Sequence, residues 1–150
     1  MAIALRAVSF TGHLGSIPSQ GADKPILNNT NMVNENCIFC KIIKGEIPSA
    51  KVWEDSEFIS IADIKPVGEG HTLVIPKKHF ATLMDVDEYF SKKYIDAIKK
   101  TASILMKKYK ANGFNSVLNN GEEAGQIVNH VHFHILPRKK GDNKRGIFIG

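Results

Sequence analysis

His130-Val131-His132-Phe133-His134-Ile135-Leu136 is the stretch on which the reading of this chain turns. Histidine alternates there with apolar residues, and in an extended backbone a period of two sends all three imidazoles to one face and Val131, Phe133 and Ile135 to the other. A helix fails the same test. At about 3.6 residues per turn, positions two and four apart fan through roughly 200°, and no single site could collect the rings. A buried strand with incidental histidines and an artificial tag are the plainer readings. A tag would not interleave β-branched and aromatic residues, so the pattern predicts a strand over 130–136 whose histidine face carries chemistry.

Working outward, Asn119 to Gln126 read as a Gly-containing loop before this strand, and Ser116 to Leu118 as another short strand. Upstream lies the strongest helical signal, Asp85 to Lys110, in which Val86, Phe90, Ile95, Ile98, Ala102, Leu105, Met106 and Tyr109 recur at steps of three to five. Lysines fill its other face, those near the end suit the negative pole of the helix dipole, and Asn112-Gly113 stops it. Lys51 to Trp53, Phe58 to Ile61 and His71 to Ile75 read as three more strands, with Pro66 and Pro76 as terminators. Cys37 to Lys44 is a short amphipathic helical turn stopped by Gly45. The order α-β-β-β-α-β-β predicts an α+β fold. A five-stranded, largely antiparallel sheet would carry one long and one short helix, the long one covering one of its faces.

The length of 150 residues is that of one domain. That domain is expected over 32–150, ending in a short basic tail from Arg138 to Arg145. Residues 1–31 are rich in Ser, Thr, Gly and Asn, with Arg6, Asp23 and Lys24 their only charges; they read as a flexible N-terminal extension or leader. Met1 to Phe10 is apolar but broken by Arg6, which leaves organellar targeting open beside a vector-derived leader with Met32 as the natural start. No apolar run approaches the roughly 18 residues of a membrane span, so no membrane partner is expected. Two cysteines three positions apart cannot frame a fold of this size, which favours a reducing, cytoplasmic setting. The net charge is +5, and its lysines lie along a helix and a tail without interleaved aromatics. Such a balance suits phosphorylated small molecules and no nucleic acid polymer.

Four separate motifs occur in order: Cys37-Ile38-Phe39-Cys40-Lys41-Ile42-Ile43, Gly70-His71-Thr72-Leu73-Val74-Ile75-Pro76-Lys77, Gly125-Gln126, and the alternating heptad. Together they resemble the histidine triad (HIT) family, in its small Hint-like branch, from about Asn36 to about Arg138. The resemblance implies a HIT-like fold and a homodimer. It also implies a hydrolase acting on the α-phosphate of purine nucleotides through a nucleotidyl-histidine intermediate, most simply a nucleoside phosphoramidase releasing a nucleoside monophosphate and an amine. A neutral imidazole suits such chemistry, because its ordinary pKa of about 6.5 leaves a lone pair available at neutral pH. A covalent intermediate then divides one displacement into two easier ones. By resemblance His132 is the nucleophile, His134 lies against the phosphate and leaving group, His71 supports the cluster, and His130 orients His132 through its backbone carbonyl.

In the preceding loop, Asn119 and Gln126 are expected to offer side-chain amides to the phosphate, and Gly125 to let backbone approach it. Asn119-Asn120-Gly121 alone is no more than a turn. Where the family usually has a small hydroxyl residue this chain has Ile127, which removes one side-chain donor and keeps the backbone N–H. Asp63 is implied to receive the ribose hydroxyls, and Ile38, Phe39, Ile42, Ile64 and Leu73 to wall a slot for the purine. Those five are also ordinary core residue types. Cys37-x-x-Cys40 by itself is half a metal site, a redox pair or two core thiols. With His79 and His130 it would complete a structural Zn2+ site of the Cys2His2 kind, as in bacterial-type relatives. No organic cofactor is expected. The alternatives are a dinucleoside polyphosphate hydrolase using the same histidines, and a non-catalytic nucleotide-binding interaction module. Binding alone would not require a nucleophile.

Overall fold

The computed structural model describes residues 34–142; the expected 1–31 extension and the end of the basic tail lie outside them. The described elements are α1 (Ile38–Lys44), β1 (Lys51–Glu54), β2 (Phe58–Ala62), β3 (Thr72–Pro76), α2 (Glu88–Tyr109), β4 (Gly113–Leu118) and β5 (Phe133–Arg138), with 3-10 turns at Leu83–Asp85 and Glu122–Ala124. The five strands form one sheet in the order β1-β2-β3-β5-β4, and every neighbouring pair is antiparallel. The α+β architecture is therefore as the residue pattern indicates.

Alternation along the strands divides the core into two. On one face Phe58, Val74, Val131 and Ile135 pack with Phe90, Tyr94, Ala97, Ile98, Ala102 and Leu105 of α2. Opposite, Ile59, Ile61, Leu73 and Ile75 pack with Cys37, Phe39 and Cys40 around α1. The fully buried Tyr94 ties α2 to the sheet by donating its hydroxyl to the Val74 carbonyl (2.8 Å). Among the described residues the second face is covered by a single two-turn helix, and the histidines face that side.

Three boundaries differ from the sequence reading by three residues, the others by no more than two. The long helix begins at Glu88, not Asp85, because the Asp85 carboxylate is spent on the Thr82 backbone N–H (2.8 Å), while Asp87 caps the helix through Phe90 N–H (2.8 Å). β4 is six residues long and starts at Gly113, which the sequence reading placed in the helix stop. The last strand begins at Phe133 and not at His130. Val131 N–H donates to the Phe80 carbonyl (2.7 Å) and His130 N–H to that of Val128 (2.8 Å), so 130–132 is held by loops before the ladder starts. Among the described residues no helix is long and apolar enough to cross a membrane.

Candidate active site

Although regular pairing begins late, the alternation persists through the heptad: Val131 and Ile135 enter the α2 core while His130, His132 and His134 face the other way. All three histidines are buried, as is His71 just before β3. His71 reaches them because β3 pairs with β5, Leu73 opposite His134.

Hydrogen bonds fix the protons on these rings. The His132 Nδ1 lies 2.7 Å from the backbone oxygen of His130. A carbonyl can only accept, so Nδ1 carries the hydrogen and Nε2 keeps its lone pair. Val67 N–H donates to His71 Nδ1 (3.3 Å), which leaves the His71 proton on Nε2, and that nitrogen faces His134 Nδ1 at 2.9 Å. His134 therefore accepts at Nδ1 and carries its own hydrogen on Nε2. His130 donates Nε2–H to the Pro76 carbonyl (2.9 Å), turning its Nδ1 lone pair toward two thiols. Burial pushes all four imidazoles below their ordinary pKa, His130 and His134 to about 4, so each is neutral at pH 7. For His134 the neighbouring His132 and His71 act in the same direction, against an opposing pull from Asp63.

The remaining expected nucleotide contacts differ in placement. Asp63 lies just past β2, with Oδ2 3.6 Å from His71 Nε2 and Oδ1 accepting from Lys65 N–H (2.8 Å). Phe39 is buried and meets the His132 ring edge-on, centroids 5.0 Å apart. Leu73 is buried in the same cluster and Ile42 packs on its rim. Ile38 is half-exposed, Ile64 is almost fully exposed and walls no slot, and Ile127 is almost fully exposed as well. The last of these lines, with Ile38, Cys37 and Asn129, a cleft of about 270 Å³ between the loop and α1.

One expectation is corrected. The Gln126 amide has no hydrogen to offer a phosphate: Nε2 donates to the Ala81 (2.7 Å) and Val128 (3.0 Å) carbonyls, and Oε1 accepts from Gly121 N–H (2.7 Å). It cross-links the loop instead. Asn119 likewise donates to the Gly125 carbonyl (3.2 Å), while Gly125 closes the 3-10 turn with φ of 85°, a left-handed conformation that favours glycine. Backbone partners of this kind leave no trace in residue spacing. Sequence reasoning also missed Val67 and Pro76, whose main-chain groups set two of the four tautomers.

Cys37, Cys40, His79 and His130 converge, their ligand atoms all within 4.8 Å of one another. Cys37 Sγ stands 3.4 Å and Cys40 Sγ 3.7 Å from His130 Nδ1, and Cys40 Sγ 3.4 Å from His79 Nδ1. Burial raises the Cys40 thiol and lowers His79. Two soft and two imidazole donors in this arrangement could hold a metal ion. Asp63, His71 and His134 form a second group of potential ligands, but the hydrogen shared by its two rings already accounts for their approach.

The HIT domain family model matches residues 44–141. A crystal structure of a HIT family member from Bacillus subtilis is 47% identical with a TM-score of 0.70, covering 76% of this chain and 82% of its own. The adenosine 5'-monophosphoramidase of Saccharomyces cerevisiae is 41% identical over 131 residues, 84% of this chain and 79% of that protein. A zinc-bound histidine triad family protein from Mycobacterium smegmatis is 37% identical with a TM-score of 0.69, covering 72% of this chain and 78% of its own.

Proposed function

This chain belongs to the HIT domain family, and from that premise we propose that it is a nucleoside phosphoramidase acting on the α-phosphate of purine nucleotides. Family membership and relatives named adenosine 5'-monophosphoramidase support a hydrolase. What carries the finer reading is the 2.7 Å bond from His132 Nδ1 to the His130 carbonyl, which commits the ring to presenting an unprotonated Nε2. That nitrogen attacks phosphorus and forms a phosphorus–nitrogen bond. The bond to the leaving amine breaks with its electron pair, and the amine takes up a proton from solvent. Water then attacks the nucleotidyl-His132 intermediate, the phosphorus–His132 bond breaks, and nucleoside monophosphate and a proton are released. His134 supports this by presenting Nε2–H as a donor for charge gathering on the phosphate oxygens. His71 holds His134 in that tautomer, and Asp63 receives the ribose.

Zn2+ is the ion that the Cys37, Cys40, His79 and His130 set fits best. Zinc bonds of about 2.3 Å to sulfur and 2.0 Å to nitrogen give a tetrahedral sulfur–nitrogen edge of about 3.5 Å. The three observed separations of 3.4, 3.7 and 3.4 Å bracket that value. Bound there, the ion would pin α1 to the sheet and supply no chemistry to the phosphate. Two buried free thiols beside imidazoles suit a reducing, cytoplasmic setting. A homodimer is inferred through β4, which ends the sheet with Phe114 exposed. Incubation with an adenosine phosphoramidate and, separately, with a diadenosine polyphosphate tests the activity. Fast release of AMP from the first alone is expected; comparable poor turnover of both would mean a binding module.

A further inference from the structure

His130 belongs to two clusters at once. Its ring stands among the thiols, with Nδ1 3.4 Å from Cys37 Sγ and Nε2 2.9 Å from the Pro76 carbonyl, and it is fully buried. Its carbonyl accepts the hydrogen that defines the tautomer of His132, two residues on. A residue gripped at both ring nitrogens has little freedom to turn its peptide plane. The grip on one of those nitrogens comes from side chains contributed by α1 and by the segment after β3, remote in sequence and outside the phosphate cluster.

We propose that Cys37, Cys40 and His79 are positioning residues for the nucleophile, acting through His130, so that metal occupancy of the quartet sets how fully His132 is held in its Nδ1–H tautomer. The physical chain is short. Ligation at Nδ1 fixes the His130 ring and hence its carbonyl, and that carbonyl fixes which nitrogen of His132 carries the hydrogen. Where the quartet is empty, the two thiols and His79 interact with the ring only as weak donors and acceptors, and the carbonyl gains freedom. His132 then spends part of its time with the hydrogen on Nε2, the form that cannot attack. Phe39 strengthens the link by packing edge-on against both rings, centroids 5.9 Å from His130 and 5.0 Å from His132. The proposal rests on His132 being the nucleophile.

Zinc-loaded protein, chelator-stripped protein and the H79A variant separate this role from a purely structural one, since replacing His79 removes one ligand and its edge-on contact with the His130 ring (centroids 4.7 Å apart) but leaves His130 itself and the phosphate cluster in place. Long-range nitrogen–proton correlation spectra read the tautomer of the His132 ring directly, without substrate. In the zinc-loaded form a single Nδ1–H tautomer is expected, with the second tautomer appearing in the stripped and H79A forms. Their kcat should fall about tenfold while AMP affinity stays unchanged, as for misplacement of a reacting group. A C37S variant provides the second measurement if H79A does not fold. An unchanged tautomer and unchanged kcat in stripped, folded protein would overturn the proposal even if the melting temperature drops. Full activity of H132A would overturn the nucleophile assignment instead, whatever the spectra of the quartet forms.

Discussion

His71 and His134, sixty-three positions apart, meet Nε2 to Nδ1 at 2.9 Å in a buried site, with Asp63 Oδ2 3.6 Å from the same His71 nitrogen. One hydrogen lies between the two rings, and its direction is dictated from outside by the Val67 amide. Two neutral rings satisfy this bond. Protonating both would place two charges where burial already disfavours one.

That pair makes stability sensitive to acid. The folded His134 has a pKa of about 4, and its unfolded value is near 6.5. Between those values the unfolded chain binds a proton that the folded one does not, so stability is fully present above about pH 6.5 and is lost as pH falls toward 4. The window is worth on the order of 3 kcal/mol for this group. Melting temperature measured on chelated protein should decline steadily from pH 7 to 4.5. A flat profile would contradict the neutral pair.

Gln126 supplies the second prediction. Sequence alone offered its amide to the phosphate, but three hydrogen bonds spend it on Ala81, Gly121 and Val128. Gln126→Ala leaves three partly buried partners unsatisfied and should cost about 1–2 kcal/mol in denaturant melts. Stability within about 0.5 kcal/mol of the parent would return the residue to the ligand.

The contrast with the histidines shows what a sequence can carry. Alternation through 130–135 is a local property, and the facing of the three rings follows from backbone geometry wherever the ladder begins. The start of β5 at Phe133 depends on Phe80 supplying a carbonyl to Val131, fifty-one positions away, and no spacing encodes that. Likewise the start of the long helix depends on Thr82 engaging Asp85, which leaves Asp87 to cap it. The cysteines and His79 were legible as ligand types; their convergence on His130 follows from the fold.

Gly70 tests the approach of β3 to the last strand. Its φ of 77° lies in the left-handed region, and an added Cβ would stand 2.7 Å from both Pro137 Cγ and Tyr109 Cε2. Strain and overlap together make Gly70→Ala destabilising by about 2 kcal/mol or more. Because His71 follows directly, turnover should fall as well. Unaltered melting and turnover would show that the loop yields freely.

His132 decides the mechanism. With Nδ1–H committed to the His130 carbonyl, the ring's remaining nitrogen is the one lone pair the bond leaves for attack. Replacing His132 with Ala should abolish turnover while nucleoside monophosphate affinity stays within about tenfold, since the proposed ribose and base contacts lie elsewhere. Binding and chemistry should separate. An imidazole neutral at pH 7 needs no metal-activated water, so turnover should persist without added magnesium, unlike phosphohydrolases that generate their nucleophile on a metal ion. Rapid mixing with labelled phosphoramidate and quenching in alkali should trap label on the protein, because a phosphorus–nitrogen bond to histidine survives base. Label found on H132A protein, or strict dependence of the parent on magnesium, would remove His132 from the role. A trapped adduct on His132 together with a silent H132A variant would assign the covalent step to the ring whose proton the His130 carbonyl holds.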